Sequence, residues 1–233
     1  MCGRFRQTRS QKQLEERFQA ENEVEDVPRF NIAPTQPVVT VRQEKGKTSR
    51  LLSTMRWGLI PSWAKDMSHG HHAVNARSET VTTKLSFRES IRYKRCLIPA
   101  DGFYEWKKTG TVRQPYLFEV GDGELFAFAG LWDEWKNPQG EIIESCTILT
   151  TAPNTLLADI HNRMPVILAT AHYDHWLDPS MQDVATAASL LKPFDANLMK
   201  RYPVSTRVNS VANDDPECSA PVDLPAVPAS LFD

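Results

Sequence analysis

The chain has 233 residues, with 27 Lys and Arg against 29 Asp and Glu, a net charge of −2, and 41% apolar side chains. That composition builds one good-sized soluble core and excludes a histone-like polycation, so any contact with nucleic acid needs a local cluster of Lys and Arg on an acidic remainder. No apolar stretch approaches the roughly 20 residues that span a bilayer, and no apolar segment follows the first arginines as in a signal peptide, so a cytoplasmic protein with no membrane partner is expected.

In chain order, Ser10 followed by Gln13 forms a capping box, and Leu14 and Phe18 fall on one face, which predicts a helix over about residues 10–20. The acidic run 21–26 reads as a solvated loop. Residues 38–42 and 51–57 are β-rich and flank Glu44-Lys45-Gly46-Lys47, a hairpin-like turn. Further strands are predicted at 95–99, 102–107 and 116–120. Gly121-Asp122-Gly123 then turns the chain into strands at 125–131, 142–150 and 166–168. Helices are predicted at 79–84, 155–160, 171–177 and 183–191. Residues 214–233, rich in Pro and acid, read as an extended tail. Many short strands at even spacing imply an α+β fold: a single domain with a curved, barrel-like mixed or antiparallel β-sheet core and peripheral helices. The domain is expected over 1–208, with a Pro/acid-rich tail over 209–233.

The four cysteines, Cys2, Cys96, Cys146 and Cys218, lie far apart with no C-x-x-C pair, which argues against zinc-knuckle spacing and for a reducing compartment. Cys96, Cys146 and Cys218 read as small apolar residues. Cys2 differs by position. Removal of Met1 would leave an α-amine, titrating near about 7.7–8.0, beside a thiol titrating near about 8.5. Such a 1,2-aminothiol condenses with an aldehyde to an imine, which the sulfur closes into a thiazolidine ring.

Four other segments carry chemistry. In Val74-Asn75-Ala76-Arg77, Asn75 can hold an amine or an oxyanion without charge, and Arg77 offers a planar fork for phosphate or for a neighbouring acid. In Phe103-Tyr104-Glu105-Trp106, strand alternation puts Phe103 and Glu105 on one face and Tyr104 and Trp106 on the other. An inward Glu105 would have a raised pKa suited to acid–base work; an outward one would pair with Lys107 or Lys108. His161 sits at a helix–strand junction, where it can move a proton or cap backbone carbonyls, and Arg163 is two residues on. Trp57 reads as core and Trp63 as a loop aromatic able to stack on a base. His69, His71 and His72 have no acid or Cys at ligand spacing and read as a solvated loop.

Seven segments together resemble one family. They are Met-Cys-Gly-Arg-Phe at 1–5, Phe-Asn-Ile-Ala-Pro-Thr at 30–35, Arg-Trp-Gly-Leu-Ile-Pro-Ser-Trp at 56–63 and Asn-Ala-Arg-Ser-Glu-Thr at 75–80. The others are Arg-Cys-Leu-Ile-Pro-Ala-Asp-Gly-Phe-Tyr-Glu-Trp at 95–106, Ile-Leu-Thr-Thr-Ala at 148–152 and Ile-His-Asn-Arg-Met-Pro at 160–165. In this order they resemble the SRAP family, the SOS response-associated peptidases. The resemblance implies a protein that senses abasic sites in single-stranded DNA, and at junctions with duplex, in the DNA damage response. It implies a covalent thiazolidine link through Cys2 after loss of Met1, with Asn75 holding the amine, Glu105 helping to open the sugar and His161 transferring protons. Arg4, Arg77 and Arg163 match phosphate contacts. Asn31, Pro34 and Trp63 match a DNA-facing wedge region. A monomer without metal or cofactor is expected, associated with the nucleoid on damage.

Two other functions fit the same residues: a thiol autopeptidase or cysteine peptidase using Cys2, Asn75, Glu105 and His161, and a non-covalent reader of modified bases using Trp63 and the arginines.

Overall fold

Ser10 caps the first helix as its side chain suggests: its Oγ accepts the Gln13 N–H while the Gln13 side chain accepts the Ser10 N–H. In the computed structural model, which describes residues 2–22, 24–25, 27–44 and 46–224, this capped helix α1 (Gln11–Phe18) buries Leu14 and Phe18. It follows β1 (Phe5–Gln7) and precedes β2 (Ala20–Glu21), β3 (Arg29–Ile32), β4 (Pro37–Gln43) and β5 (Arg50–Trp57). Next come α2 (His69–His72), β6 (Asn75–Arg77), β7 (Arg95–Ala100), β8 (Gly102–Thr109), β9 (Val112–Val120), β10 (Phe126–Lys136) and β11 (Ile142–Thr151). The two-residue strands β12 (Met164–Pro165) and β13 (Ile167–Leu168) and the longer β14 (Met199–Pro203) complete the sheets.

Strands β4, β5, β11, β10 and β7 close into a ring. Four of its pairings are antiparallel, and the seam between β5 and β11 is parallel, with Arg56 opposite Ser145 and Trp57 opposite Cys146. The core is therefore a closed five-stranded mixed barrel within a single α+β domain, as expected from the sequence. A second sheet runs in the order β14-β9-β8-β1-β3. Aromatic side chains fill the space between the sheets: Phe5 meets Trp57 and Phe128 edge-on at 5.2 and 5.6 Å, and Phe103 stacks on Phe118 at 5.1 Å. Cys2, Cys96 and Cys146 are buried in this same cluster. No helix among the described residues is long and apolar enough to cross a membrane.

Strand β1 is placed by charge as well as by pairing. Arg6 lies between the buried carboxylates of Asp101, 3.3 Å away, and Glu119. Asp101 is fully buried and also takes the Thr8 hydroxyl and the Arg9 guanidinium. Removing one partner of such a buried set leaves a charge uncompensated, so the register of β1, and hence the position of Cys2, is strongly specified.

Three expectations are corrected. Residues 79–84 and 155–160 are turns, not helices. The first contains Thr80-Val81-Thr82-Thr83, a β-branched run that loses side-chain freedom in a helix. Residues 69–72 form a short helix rather than a loop, and the His69 ring makes a 3.0 Å hydrogen bond to Ser86. Residues 209–224 are not an extended tail. Val204 bridges to Pro221, Cys218 is buried against Tyr104, Leu117, Val204 and Val208, and Ser219 hydrogen-bonds the Tyr104 hydroxyl at 2.7 Å. Asp214 accepts the backbone N–H groups of Phe30 and Asn31 and pairs with Arg29. Residues 225–233 of the expected tail lie outside the described residues.

Candidate active site

The pairing of β1 with β8 sets Phe5 opposite Phe103, and the Tyr104 N–H continues it by donating to the Arg4 carbonyl at 3.0 Å. Glu105 is thus brought alongside the start of β1. Its side chain points inward, as alternation predicts: Phe103 belongs to the cluster that holds Cys2, while Tyr104 and Trp106 belong to the one beneath residues 204–218. Glu105 is 4% exposed, and burial raises its pKa, favouring the neutral acid. Burial also pushes the Cys2 thiol up, and the Glu105 charge pushes it further, so the two groups sense one another. The Cys2 Sγ lies 3.9 Å from the Arg4 carbonyl.

Asn75 opens β6, which runs parallel to β11 with Asn75 opposite Ile148. Its Nδ2 donates to the Cys2 carbonyl at 2.8 Å. A carbonyl only accepts, so this bond fixes the orientation of the amide. The Oδ1 atom is then left shielded from solvent with no hydrogen-bond donor among the described residues.

His161 is half-buried, and its Nδ1 accepts the Arg163 backbone N–H at 3.0 Å. Desolvation lowers its pKa, favouring neutral imidazole. Ile160, the residue before His161, packs against the cluster that contains Cys2 and Phe103, which brings the His161 loop to the same core. Thiol, acid and amide thus meet where β1, β8 and β6 converge, and the loop before β12, which carries His161, packs on the same core.

The three arginines expected to contact phosphate are not equivalent. Arg4 donates to Asn31 Oδ1 at 3.0 Å and to the Val208 carbonyl at 2.7 Å, and has no carboxylate partner among the described residues. Its charge is uncompensated, and burial lowers its pKa. Arg77 is exposed, and its side chain makes no hydrogen bond or ion pair among the described residues. Arg163 is neutralised: Nη1 and Nη2 meet the two Glu79 carboxylate oxygens at 2.6 and 2.9 Å.

Of the expected wedge, Trp63 is 49% exposed and lies edge-on to His69 at 5.1 Å, whereas Trp57 is wholly buried. Pro34 is half-buried in a turn that puts Thr35 at φ 75°. Asn31 departs from the expectation of a DNA-facing residue. It is fully buried, and its Nδ2 donates to the carbonyls of Val208, Ser210 and Asn213. Its role here is to anchor the C-terminal segment, because a buried amide must satisfy its donors internally.

Sequence reasoning missed Asp101, Glu79 and Asp214. Asp101 precedes Gly102 and reads as a turn residue; its three basic or hydroxyl partners at positions 6, 8 and 9 are the signal that was available. Glu79 stands within the segment 75–80 but announces no partner 84 positions away. Among the described residues no group of three or more His, Cys, Asp or Glu is placed to hold a metal.

Fold and site together define an α+β barrel protein that gathers a cysteine, a carboxylic acid, an imidazole and a gripping amide at the start of its chain. The family described as SOS response associated peptidase (SRAP) matches residues 1–211, and the chain belongs to that family. It is 44% identical over 221 residues to the abasic site processing protein YoqW of Bacillus subtilis, covering 93% of this chain and 98% of that one. It is 36% identical to the abasic site processing protein HMCES of Gallus gallus, over 79% of this chain and 61% of that longer protein. A crystal structure of a protein from Bacteroides thetaiotaomicron superposes with a TM-score of 0.85 at 28% identity, covering 95% of this chain and all of the other.

Proposed function

We propose that this protein processes abasic sites in DNA by capturing the base-less sugar covalently on Cys2 once Met1 has been removed. The observation that carries the reading is the juxtaposition of a buried, acid-favouring Glu105 with a Cys2 whose backbone Asn75 holds.

The chemistry balances without an oxidant or reductant. Glu105, as the neutral acid, gives a proton to the ring oxygen of the closed sugar while the C1 hydroxyl loses one, which frees the aldehyde. The Cys2 amine adds to the aldehyde carbon, and water leaves to give an imine. The Cys2 sulfur then bonds to the same carbon, and its proton passes to nitrogen. One sugar aldehyde and one aminothiol become one thiazolidine and one water. Asn75 Oδ1, shielded and lacking a donor among the described residues, is suited to accept a hydrogen from the liberated amine and aim its lone pair. His161 contributes at the sugar oxygens.

Arg4 and Arg77, the two site cations without a carboxylate partner, are the phosphate contacts in this reading. They position the backbone and read no sequence. Trp63 stacks on a base beside the lesion, which suits single strands and junctions with duplex. The protein acts as a monomer.

Intact-mass spectrometry tests the proposal. Protein verified to begin at Cys2 is mixed with a single-stranded oligonucleotide carrying one abasic site. The expected product is the sum of the two masses less one water, stable to denaturant and absent with Cys2→Ala. An unmodified processed protein, or an equally durable adduct with Cys2→Ala, overturns it. Retention of Met1 only in Glu105→Gln and His161→Ala would instead favour the autopeptidase.

A further inference from the structure

The loop that carries Trp63 is fastened to one face of the β10–β11 hairpin. Asp133 and Trp135 alternate onto the same face of β10, and Ser145 of β11 stands directly opposite Asp133. The Asp133 carboxylate accepts the Ser62 N–H at 2.8 Å, the Trp135 indole donates to the Ala64 carbonyl at 2.7 Å, and the Ser145 hydroxyl accepts the Ile60 N–H at 2.8 Å. All three side chains are buried. Lys94, 2.7 Å from Asp133 Oδ1, balances the buried carboxylate. A further bond, from the Ala64 N–H to the Pro61 carbonyl at 2.8 Å, closes the turn on which Trp63 sits.

The main chain is thus tied on both sides of Trp63, at the N–H of the residue before it and the carbonyl of the residue after it. The ring lies edge-on to His69, itself bonded to Ser86. The root of the loop lies beside the site: the Leu59 N–H donates to the Ala73 carbonyl at 3.2 Å, and the Trp57 indole to the Val74 carbonyl, next to Asn75, at 2.9 Å. Ordering a loop around an aromatic side chain that stays half exposed costs conformational entropy, and the ring returns that cost only when a partner covers it. We propose that Asp133, Trp135 and Ser145 are positioning residues that hold this loop in one conformation before any strand arrives. Trp63 is thereby a fixed stacking platform that favours nucleic acid with a bare base face, as in a single strand, over continuous duplex, where every face is already stacked. What the platform stacks on rests on the function proposed above; the fastening of the loop does not.

Two conservative variants test the proposal. Trp135→Phe keeps a ring and deletes the indole donor, and Ser145→Ala deletes only the hydroxyl acceptor. In full-length protein without DNA, amide exchange read by mass spectrometry should show residues 58–64 protected in wild type and exchanging roughly 10-fold faster in the double variant. Affinity of the double variant for an intact single-stranded oligonucleotide should fall about fivefold, while affinity for long duplex stays within about twofold, because the ordering of the loop is then completed only on binding. The single-turnover rate of abasic capture at saturating DNA should stay within about twofold of wild type, since the loss is in binding and not in chemistry. In a Trp63→Ala background the two substitutions should cause no further loss of single-strand affinity, an outcome that general destabilisation would not produce. A loosened loop with undiminished single-strand affinity overturns the proposal, as does an equal loss in the Trp63→Ala background. A wild-type loop that exchanges without protection overturns it with no variant needed. If loop and affinities behave as expected but no abasic capture occurs, the platform stands and the proposed function falls.

Discussion

Asn75 grips Cys2 by its main chain: 2.8 Å separates the amide Nδ2 from the Cys2 carbonyl, across 73 positions of sequence. Among the described residues the thiol itself is held by burial and a long contact to the Arg4 carbonyl. The residue is therefore aimed through its backbone, and its amine and sulfur stay available for bond formation. Replacing Asn75 with Ala should slow single-turnover abasic capture about 100-fold while leaving intact-DNA affinity within twofold, as quenched gel time courses and anisotropy would show. Asn75→Asp should be at least as slow, because it sets a carboxylate against a carbonyl oxygen.

Glu105 predicts opposite effects on stability and activity. Its folded pKa is raised above the ordinary carboxyl value of 4.5 by burial. Below that value both folded and unfolded forms are protonated. As pH rises through it, the unfolded chain ionises first, so stability falls until the folded-state pKa is passed. Glu105→Gln removes this loss. Its melting temperature should exceed that of wild type by a margin that widens from pH 4 to pH 8, measured by calorimetry. Capture should nevertheless be slower by roughly 100-fold or more, and the alkaline fall in the wild-type rate should vanish.

Arg77 offers the cleanest electrostatic test because its side chain holds no other group among the described residues. Arg77→Ala should leave the melting temperature unchanged and lower the dependence of log K on log salt by about 0.7, as one lost phosphate contact does on single strands. Arg4→Ala should show the same change in slope together with destabilisation, because it strips the buried Asn31 Oδ1 of its donor and the Val208 carbonyl of one of its two. Binding titrations at several salt concentrations, paired with thermal melts, distinguish the two.

The loop that presents Trp63 is pinched at its base. Gly58 adopts φ +126°, and a Cβ there would lie 2.6 Å from the Gly70 carbonyl oxygen. Gly58→Ala should cost about 2 kcal/mol or more, from both strain and the clash. Trp63→Ala, at an exposed position, should leave stability within about 0.5 kcal/mol yet weaken single-strand binding by about 1–3 kcal/mol through lost stacking. Denaturant melts and anisotropy on the same pair of variants check both.

Features written in neighbouring residues are legible in the sequence. Ser10 and Gln13 announce a capped helix because the motif is local, and Phe103 and Glu105 announce an inward acid because strand alternation has a period of two. What closes the architecture is not local. The parallel seam of Arg56 and Trp57 on Ser145 and Cys146 joins segments some 90 positions apart, and no turn signal marks it. Asn31 lies in a segment shared with the family, which suggested a surface role, but its amide is satisfied by carbonyls about 180 positions away. Arg163 looked like a free cation because nothing nearby in sequence reveals Glu79 as its partner.

The docking of residues 212–224 has a practical corollary for anyone trimming this protein. The family match ends at residue 211, but a chain cut there would lose the Asp214 carboxylate that caps the edge of β3 and the Ser219 hydroxyl that meets Tyr104. Asn31 would lose one carbonyl acceptor, Asn213, and with it part of the cradle behind Arg4. Domain-swap or truncation boundaries are therefore better drawn at about residue 224 than at 211.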